Sequence, residues 1–164
     1  KVPVNIGVVR AGNWASTVPE KLEAEVRVGF LPGEEMQAFK RMVVERLLGV
    51  AARDPWLRDH PPEITFFGGQ FLAAETPSDS PLCDTLLRAH QAVTGKYLPT
   101  EGVTYGADMR HFIEFGGMPC VMYGAGDIRL AHAPDEYLPV DELLTAVTVM
   151  ASFLAEWCGV EGAA

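Results

Sequence analysis

The chain has 164 residues, 48% of them hydrophobic and 21% charged, which suits one domain or two small ones with a real core. Lys and Arg number 13 against 22 Asp and Glu, a formal net charge of -9 with no basic stripe to displace counterions, and this argues against a nucleic-acid partner. Cys83, Cys120 and Cys158 are sparse and form no C-x-x-C pair, and the most apolar stretch, Leu143 to Ala155, is short of the roughly 20 residues that span a bilayer, so reduced thiols and no membrane span are expected.

Val4 to Val9 is apolar and β-branched, a predicted strand. From Leu22 the pattern alternates: Leu22, Ala24, Val26, Val28 and Phe30 share one face, and Glu23, Glu25 and Arg27 the other. Period two predicts a strand with one covered face, ended by Leu31-Pro32-Gly33. Glu34 and Glu35 open a helix at the end where the dipole favours carboxylates. Along it Met36, Phe39, Val43, Leu47 and Val50 recur at three- and four-residue steps, a stripe predicted to be buried. Asp54-Pro55 ends that helix, and Ile64 to Phe67 reads as a third strand. Strand, strand, helix, strand predicts an antiparallel sheet with a helix on one face, an α+β layer.

Thr76-Pro77-Ser78-Asp79-Ser80-Pro81 is turn-rich and marks the best domain boundary, giving domains 1–73 and 74–164. Leu82 to Thr94 is a predicted helix with Ser80 as N-cap and Gly95 past its end. A short helix near Asp108 to Phe115, a buried strand from Cys120 to Tyr123, a glycine turn and a last helix from about Val140 to Trp157 follow, an α/β pattern. The opening Lys-Val-Pro-Val-Asn-Ile has no secretion signal, which adds to the expectation of a soluble, cytoplasmic protein. The first residue is not Met and lies close to a strand, which leaves room for an upstream part.

The densest group of unusual residues is Tyr123-Gly124-Ala125-Gly126-Asp127 followed by Ala131-His132-Ala133-Pro134-Asp135-Glu136-Tyr137. A Gly-x-Gly turn after a strand lets backbone approach a ligand closely, and strand ends are where open α/β sheets place their sites. His132 just beyond is either a metal ligand or a loop histidine that caps nearby backbone. In Gly106-Ala107-Asp108-Met109-Arg110, Asp108 and Arg110 face a pocket, or Asp108 caps the following helix. Of the other histidines, His111 reads as packed on its helix, and His60 and His90 as surface. Arg27 is a cation on the polar face of a regular strand, a solvated charge or half of a cross-strand ion pair. One candidate ligand cannot hold a catalytic metal, since zinc sites take three or four protein ligands.

Gly106-Ala107-Asp108-Met109-Arg110, Met118 to Asp127, and Ala131 to Tyr137 occur in that order, and Ala155-Glu156-Trp157-Cys158-Gly159 comes last. With these the sequence resembles the C-terminal end of the acetylornithine deacetylase and succinyl-diaminopimelate desuccinylase family of zinc-dependent amidohydrolases and exopeptidases. Gly12 to Pro32 resembles the middle of that family's lid. The resemblance implies a zinc-exopeptidase-like α/β catalytic part, residues 74–164, and an α+β antiparallel-sheet lid or dimerisation domain, residues 1–73. It implies that His132 is the last metal ligand, that Gly124 and Gly126 line the substrate cleft, and that Arg27 binds a substrate carboxylate. Asp108 and Arg110 fall in a pocket-side motif. Two zinc ions per full-length subunit, with cobalt able to substitute, and a homodimer formed through the lid are further implications. So is a substrate that is an N-acyl amino acid or small peptide. Ala125 stands where the family often has Pro, and Ser16 where its lid often has Asn. The other metal ligands and the catalytic glutamates of the family match nothing here, so the chain is expected to be the C-terminal half of an enzyme. A non-catalytic dimerisation or binding module derived from the same family is the rival expectation.

Overall fold

The computed structural model describes residues 2–160. Within them the chain divides into two compact units. The first runs to Ala74 and includes Thr104–Gly106; the second takes Glu75–Val103 and the chain from Ala107 onward.

The first unit begins with an antiparallel pair, β1 (Val4–Ala11) and β2 (Leu22–Val28). The ladder pairs Val4 with Val28, Asn5 with Arg27 and Ile6 with Val26, then slips at Gly7 so that Val8 faces Glu25. One extra residue on one strand is a bulge, which bends the pair. Arg10 reaches diagonally across it to Glu25 at 2.7 Å, so the cross-strand ion pair is made by Arg10 and not by Arg27. The pair closes where the Gly29 N–H donates to the Pro3 carbonyl at 2.9 Å. A Cβ at Gly29 would lie 2.9 Å from Pro3 Cδ, so this approach demands glycine.

Helix α1 (Met36–Ala51) starts where the sequence placed it. The Glu35 side chain accepts from the Gln37 and Ala38 N–H groups at 2.7 and 2.6 Å, and these two bonds hold its carboxyl below the usual range. Its stripe is covered only in part: Met36, Phe39 and Val43 are half-buried, but Leu47 and Val50 are exposed. The reason is that α1 does not lie across the sheet; among the described elements only β1 with β2 and α3 with α5 pack extensively. The expected helix-on-sheet layer is therefore not formed, and the apolar face of β2 is open, with Leu22 64% and Val26 46% exposed. The Phe30 ring meets Phe39 of α1 at 5.3 Å instead.

α1 ends ahead of Asp54-Pro55, as expected, but the same residues also start a further helix. Asp54 accepts from the Trp56 and Leu57 N–H groups at 2.9 Å, and Pro55 takes the first position of a short helix α2 (Pro55–Asp59). Ile64 to Phe67 is not a strand. It runs beside α1, where the Lys40 ammonium sits 5.3 Å from the Phe66 ring centre and bonds Gln70.

The second unit is built on α3 (Pro81–Thr94) and α5 (Val140–Cys158). Ser80 Oγ caps α3 by accepting from Cys83 N–H at 3.3 Å, and Gly95 ends it at φ 69°. Leu86 and Ala89 of α3 meet Val149 and Phe153 of α5 in the core, with Leu82, Val121 and Tyr123 packed against it. Arg88, in the middle of α3, ties it to Glu156 near the end of α5 at 2.6 Å. Cys120 to Tyr123 carries no strand ladder, and Met122 is exposed. Thr76 holds it in place of a neighbour strand: its Oγ1 donates to the Cys120 carbonyl at 2.6 Å and accepts the Cys120 N–H at 3.0 Å. The α/β expectation thus appears here as helices around one irregular apolar segment. A short helix, α4 (Met109–Glu114), completes the unit. No disulfide forms among the described residues, and none of their helices is long and apolar enough to cross a membrane.

Candidate functional site

Beyond Tyr123 the chain makes one continuous loop into α5. Gly126 has φ 93°, a conformation side chains rarely adopt, and a Cβ there would also meet Leu138 Cδ1 at 3.1 Å. Its N–H donates to Glu142 Oε2, in the first turn of α5, at 3.0 Å. Gly124 sits in open space. Asp127 caps the one-turn helix Ile128–Leu130: Oδ1 accepts the Arg129 N–H at 2.9 Å, and the Arg129 guanidinium grips both carboxylate oxygens. That side-chain bond, with the backbone bond after it, pulls the Asp127 carboxyl down to about 2.

His132 follows at φ 64° and Asp135 at φ 61°, the two non-glycine residues in the left-handed region among the described residues. Such a backbone costs about 1–3 kcal/mol and persists where its surroundings enforce it. The Ala131 and Ala133 N–H groups bond back to Ile128 and Leu130, at 3.1 and 3.0 Å. The His132 N–H turns to Glu136 Oε2 at 3.2 Å. The side chain of His132 therefore does not cap backbone; its own N–H is the group that is held. The ring is exposed and, among the described residues, makes no hydrogen bond or ion pair. It fits one position in a metal's ligand set. No three His, Cys, Asp or Glu side chains gather around any point among the described residues, so these residues do not complete a metal site.

Asp108 occupies the N-cap position of α4, but its side chain makes no capping bond. It is 88% exposed and pairs with Arg110 at 3.7 Å and His111 Nε2 at 3.9 Å. Arg110 is 15% exposed in its side chain and donates to the Ala107 carbonyl at 2.8 Å, folding back over its own turn. His111 is half exposed and stacks on Phe115, with ring centres 5.8 Å apart. His60 is exposed and stacks on Trp56 at 4.5 Å. His90 departs from its surface reading: it is half-buried, and its Nδ1 meets the Tyr123 hydroxyl at 2.9 Å. Burial raises the Tyr123 phenol above its ordinary value.

Gly124, Gly126 and His132 are thus brought onto one loop of the second unit, and Asp108 and Arg110 onto α4 of the same unit. Arg27 belongs to the first unit, exposed on β2 opposite Asn5, and among the described residues its side chain has no ion pair. Sequence reasoning passed over Glu136, Glu142 and the His90–Tyr123 pair. The spacing of four from His132 to Glu136 was visible, but nothing in it shows a carboxylate turning back onto a backbone N–H.

The profile of peptidase family M20/M25/M40 matches residues 6–156 of this chain. Over 166 residues the chain is 26% identical to an N-formyl-4-amino-5-aminomethyl-2-methylpyrimidine deformylase of Halalkalibacterium halodurans, covering 94% of this chain and 38% of that protein. It is 24% identical over 163 residues to the deformylase of the same description from Bacillus subtilis, covering 94% of this chain and 38% of that protein. It is 27% identical over 157 residues to an acetylornithine deacetylase of Myxococcus xanthus, covering 95% of this chain and 38% of that protein. The chain therefore spans about two fifths of the length of these relatives.

Proposed function

This chain belongs to peptidase family M20/M25/M40, and from that premise we propose that it forms the C-terminal part of a metal-dependent hydrolase. The enzyme removes a short acyl group from the nitrogen of a small amide. The observation that carries this reading is the match from residue 6 to 156, which runs through all three motif clusters around Asp108, Gly126 and His132. One relative is named as the deformylase of an N-formyl compound and another as a deacetylase, which supports removal of a short acyl group here.

Residues 1–73 serve as part of a lid through which two subunits dimerise, and 74–164 as part of the catalytic domain, in a cytoplasmic enzyme. His132 contributes one imidazole to a two-zinc centre whose other ligands come from outside the described residues; cobalt can replace zinc. A bound zinc would supply Lewis-acid polarisation of the acyl carbonyl and a water acidified enough to attack it. Gly124 and Gly126 keep the cleft wall free of side chains so that backbone lies against the substrate. Asp108 and Arg110 line its pocket side. Arg27, exposed and among the described residues without an ion pair, offers a fork to a substrate carboxylate, which suits an N-acyl amino acid or small peptide.

The full-length protein carrying this sequence should hydrolyse N-formyl or N-acetyl amides, lose activity to a chelator and regain it with zinc. His132→Ala should lower kcat/KM about 100-fold, the upper range for losing a group that governs metal binding. Turnover unchanged by both the chelator and His132→Ala would overturn the metal-dependent reading, and no turnover at all in the full-length protein would favour a non-catalytic dimerisation module.

A further inference from the structure

We propose that Glu136 is the positioning residue of His132, acting through the backbone of His132 and not as a ligand or base. This rests on His132 being a metal ligand, as argued above. Three N–H groups fix the loop. Those of Ala131 and Ala133 bond back to the one-turn helix Ile128–Leu130, and that of His132, between them, is taken by Glu136 Oε2 at 3.2 Å. Alternating the direction of successive N–H groups fixes the peptide planes on both sides of the His132 Cα. Its φ of 64° is the result, and with φ and the next peptide fixed the direction of the Cα–Cβ bond is fixed as well.

Among the described residues no bond holds the exposed ring of His132, so what they supply toward its orientation is the backbone that sets the direction of its Cα–Cβ bond. The usual device is a carboxylate bonded to the second ring nitrogen. Here the carboxylate bonds the main chain of the same residue, and the left-handed backbone carries the orientation. Asp135, the second left-handed residue at φ 61°, supplies the reversal that brings Glu136 back over His132.

The test uses the full-length protein, stripped with a chelator and titrated with zinc against a fluorescent competitor, with thermal unfolding followed in parallel. Glu136→Ala should weaken one zinc at least tenfold with an unchanged unfolding midpoint. Glu136→Gln, whose amide oxygen still accepts, should bind within about threefold of wild type. Glu136→Asp keeps the charge but loses the reach, and should resemble Glu136→Ala; it serves as the decisive variant if Glu136→Ala does not fold. Loss of zinc in Glu136→Gln equal to that in Glu136→Ala would mean that charge matters and the hydrogen bond does not, overturning the proposal. So would full zinc affinity in Glu136→Ala and Glu136→Asp while His132→Ala loses a zinc. Two zincs retained in His132→Ala would instead overturn the metal reading of His132, and this inference with it.

Discussion

In the second unit two apolar stripes find each other: Leu86 and Ala89 on α3 close against Val149 and Phe153 on α5, and Val149 is wholly buried. In the first unit β2 alternates as regularly, yet Leu22 and Val26 remain exposed, and Ala51 is the buried apolar residue among those described there. Both patterns follow from the same rule, that periodicity sorts side chains onto faces. Periodicity does not supply a cover. α3 and α5 each carry the stripe the other needs, whereas α1 lies off the sheet and its Phe39 meets Phe30, just beyond the end of β2. The larger buried core also belongs to the unit that holds the Gly126–His132 loop, whose first residue, Gly126, is bonded to Glu142 of α5.

The sharpest way to break this contrast is to truncate one residue on each side. Phe153→Ala should destabilise the second unit by about 3–5 kcal/mol, the range for an aromatic core side chain. Trp157, whose ring lies 6.0 Å from Phe153, gives a fluorescence signal for the urea transition. Val26→Ala should cost at most about 1 kcal/mol, the span of strand preferences. Equal costs would mean that the β2 face is covered in solution, as a second copy docking on the first unit would cover it.

A functional contrast comes next in size. Arg27→Ala should raise KM about 10- to 100-fold for an N-acetyl amino acid, equivalent to roughly 1.4–2.7 kcal/mol, which is the worth of a hydrogen bond to a charged group. KM for an N-formyl aminomethylpyrimidine, which has no carboxylate, should stay within a factor of about two. Parallel rises for both substrates would make Arg27 a structural member of β2, and would leave the site to the second unit alone.

How much of this was legible follows from how local each signal is. The ends of α3 needed only Ser80, Pro81 and Gly95, and the start of α1 only Glu35, because a cap satisfies N–H groups two or three residues away. Ile64 to Phe67 and Cys120 to Tyr123 were read as strands from apolar runs, but a strand exists only with a hydrogen-bonded neighbour, and the runs could not say whether one was present. Lys40 and Thr76 hold them instead. Asp54-Pro55 marked the end of α1, but its second role stayed hidden, because the residues that end one helix are also those that begin another. Glycine spacing pointed to the site loop, since φ 93° at Gly126 all but requires glycine. Glu136 and Glu142 stayed hidden because their partners are backbone atoms brought near by the loop's path. His90 was hidden because its partner, Tyr123, lies 33 residues away.

The smallest effect probes the loop that joins the second unit's core to its candidate ligand. Asp127 is held by the Arg129 side chain first and by the Arg129 N–H second, and its carboxyl titrates at about 2 instead of its ordinary 3.8. A depressed folded value means that the carboxylate's contribution is complete above the unfolded value and is lost as pH falls from there through about 2. The first turn of the loop should therefore loosen only in strong acid, and at neutral pH the pair should be insensitive to small pH changes. Both partners are exposed, so salt should weaken the pair and global stability should hardly respond. Arg129→Met removes the first cause and keeps the second, because the backbone N–H is still there. A carbon-detected NMR titration should then show Asp127 rising toward 3.8 without reaching it. A full return to 3.8 would mean that the cap on Ile128–Leu130 forms only with the guanidinium in place. The one-turn helix ahead of His132 would then depend on a surface ion pair, and neither core nor cap would be sufficient to hold the loop.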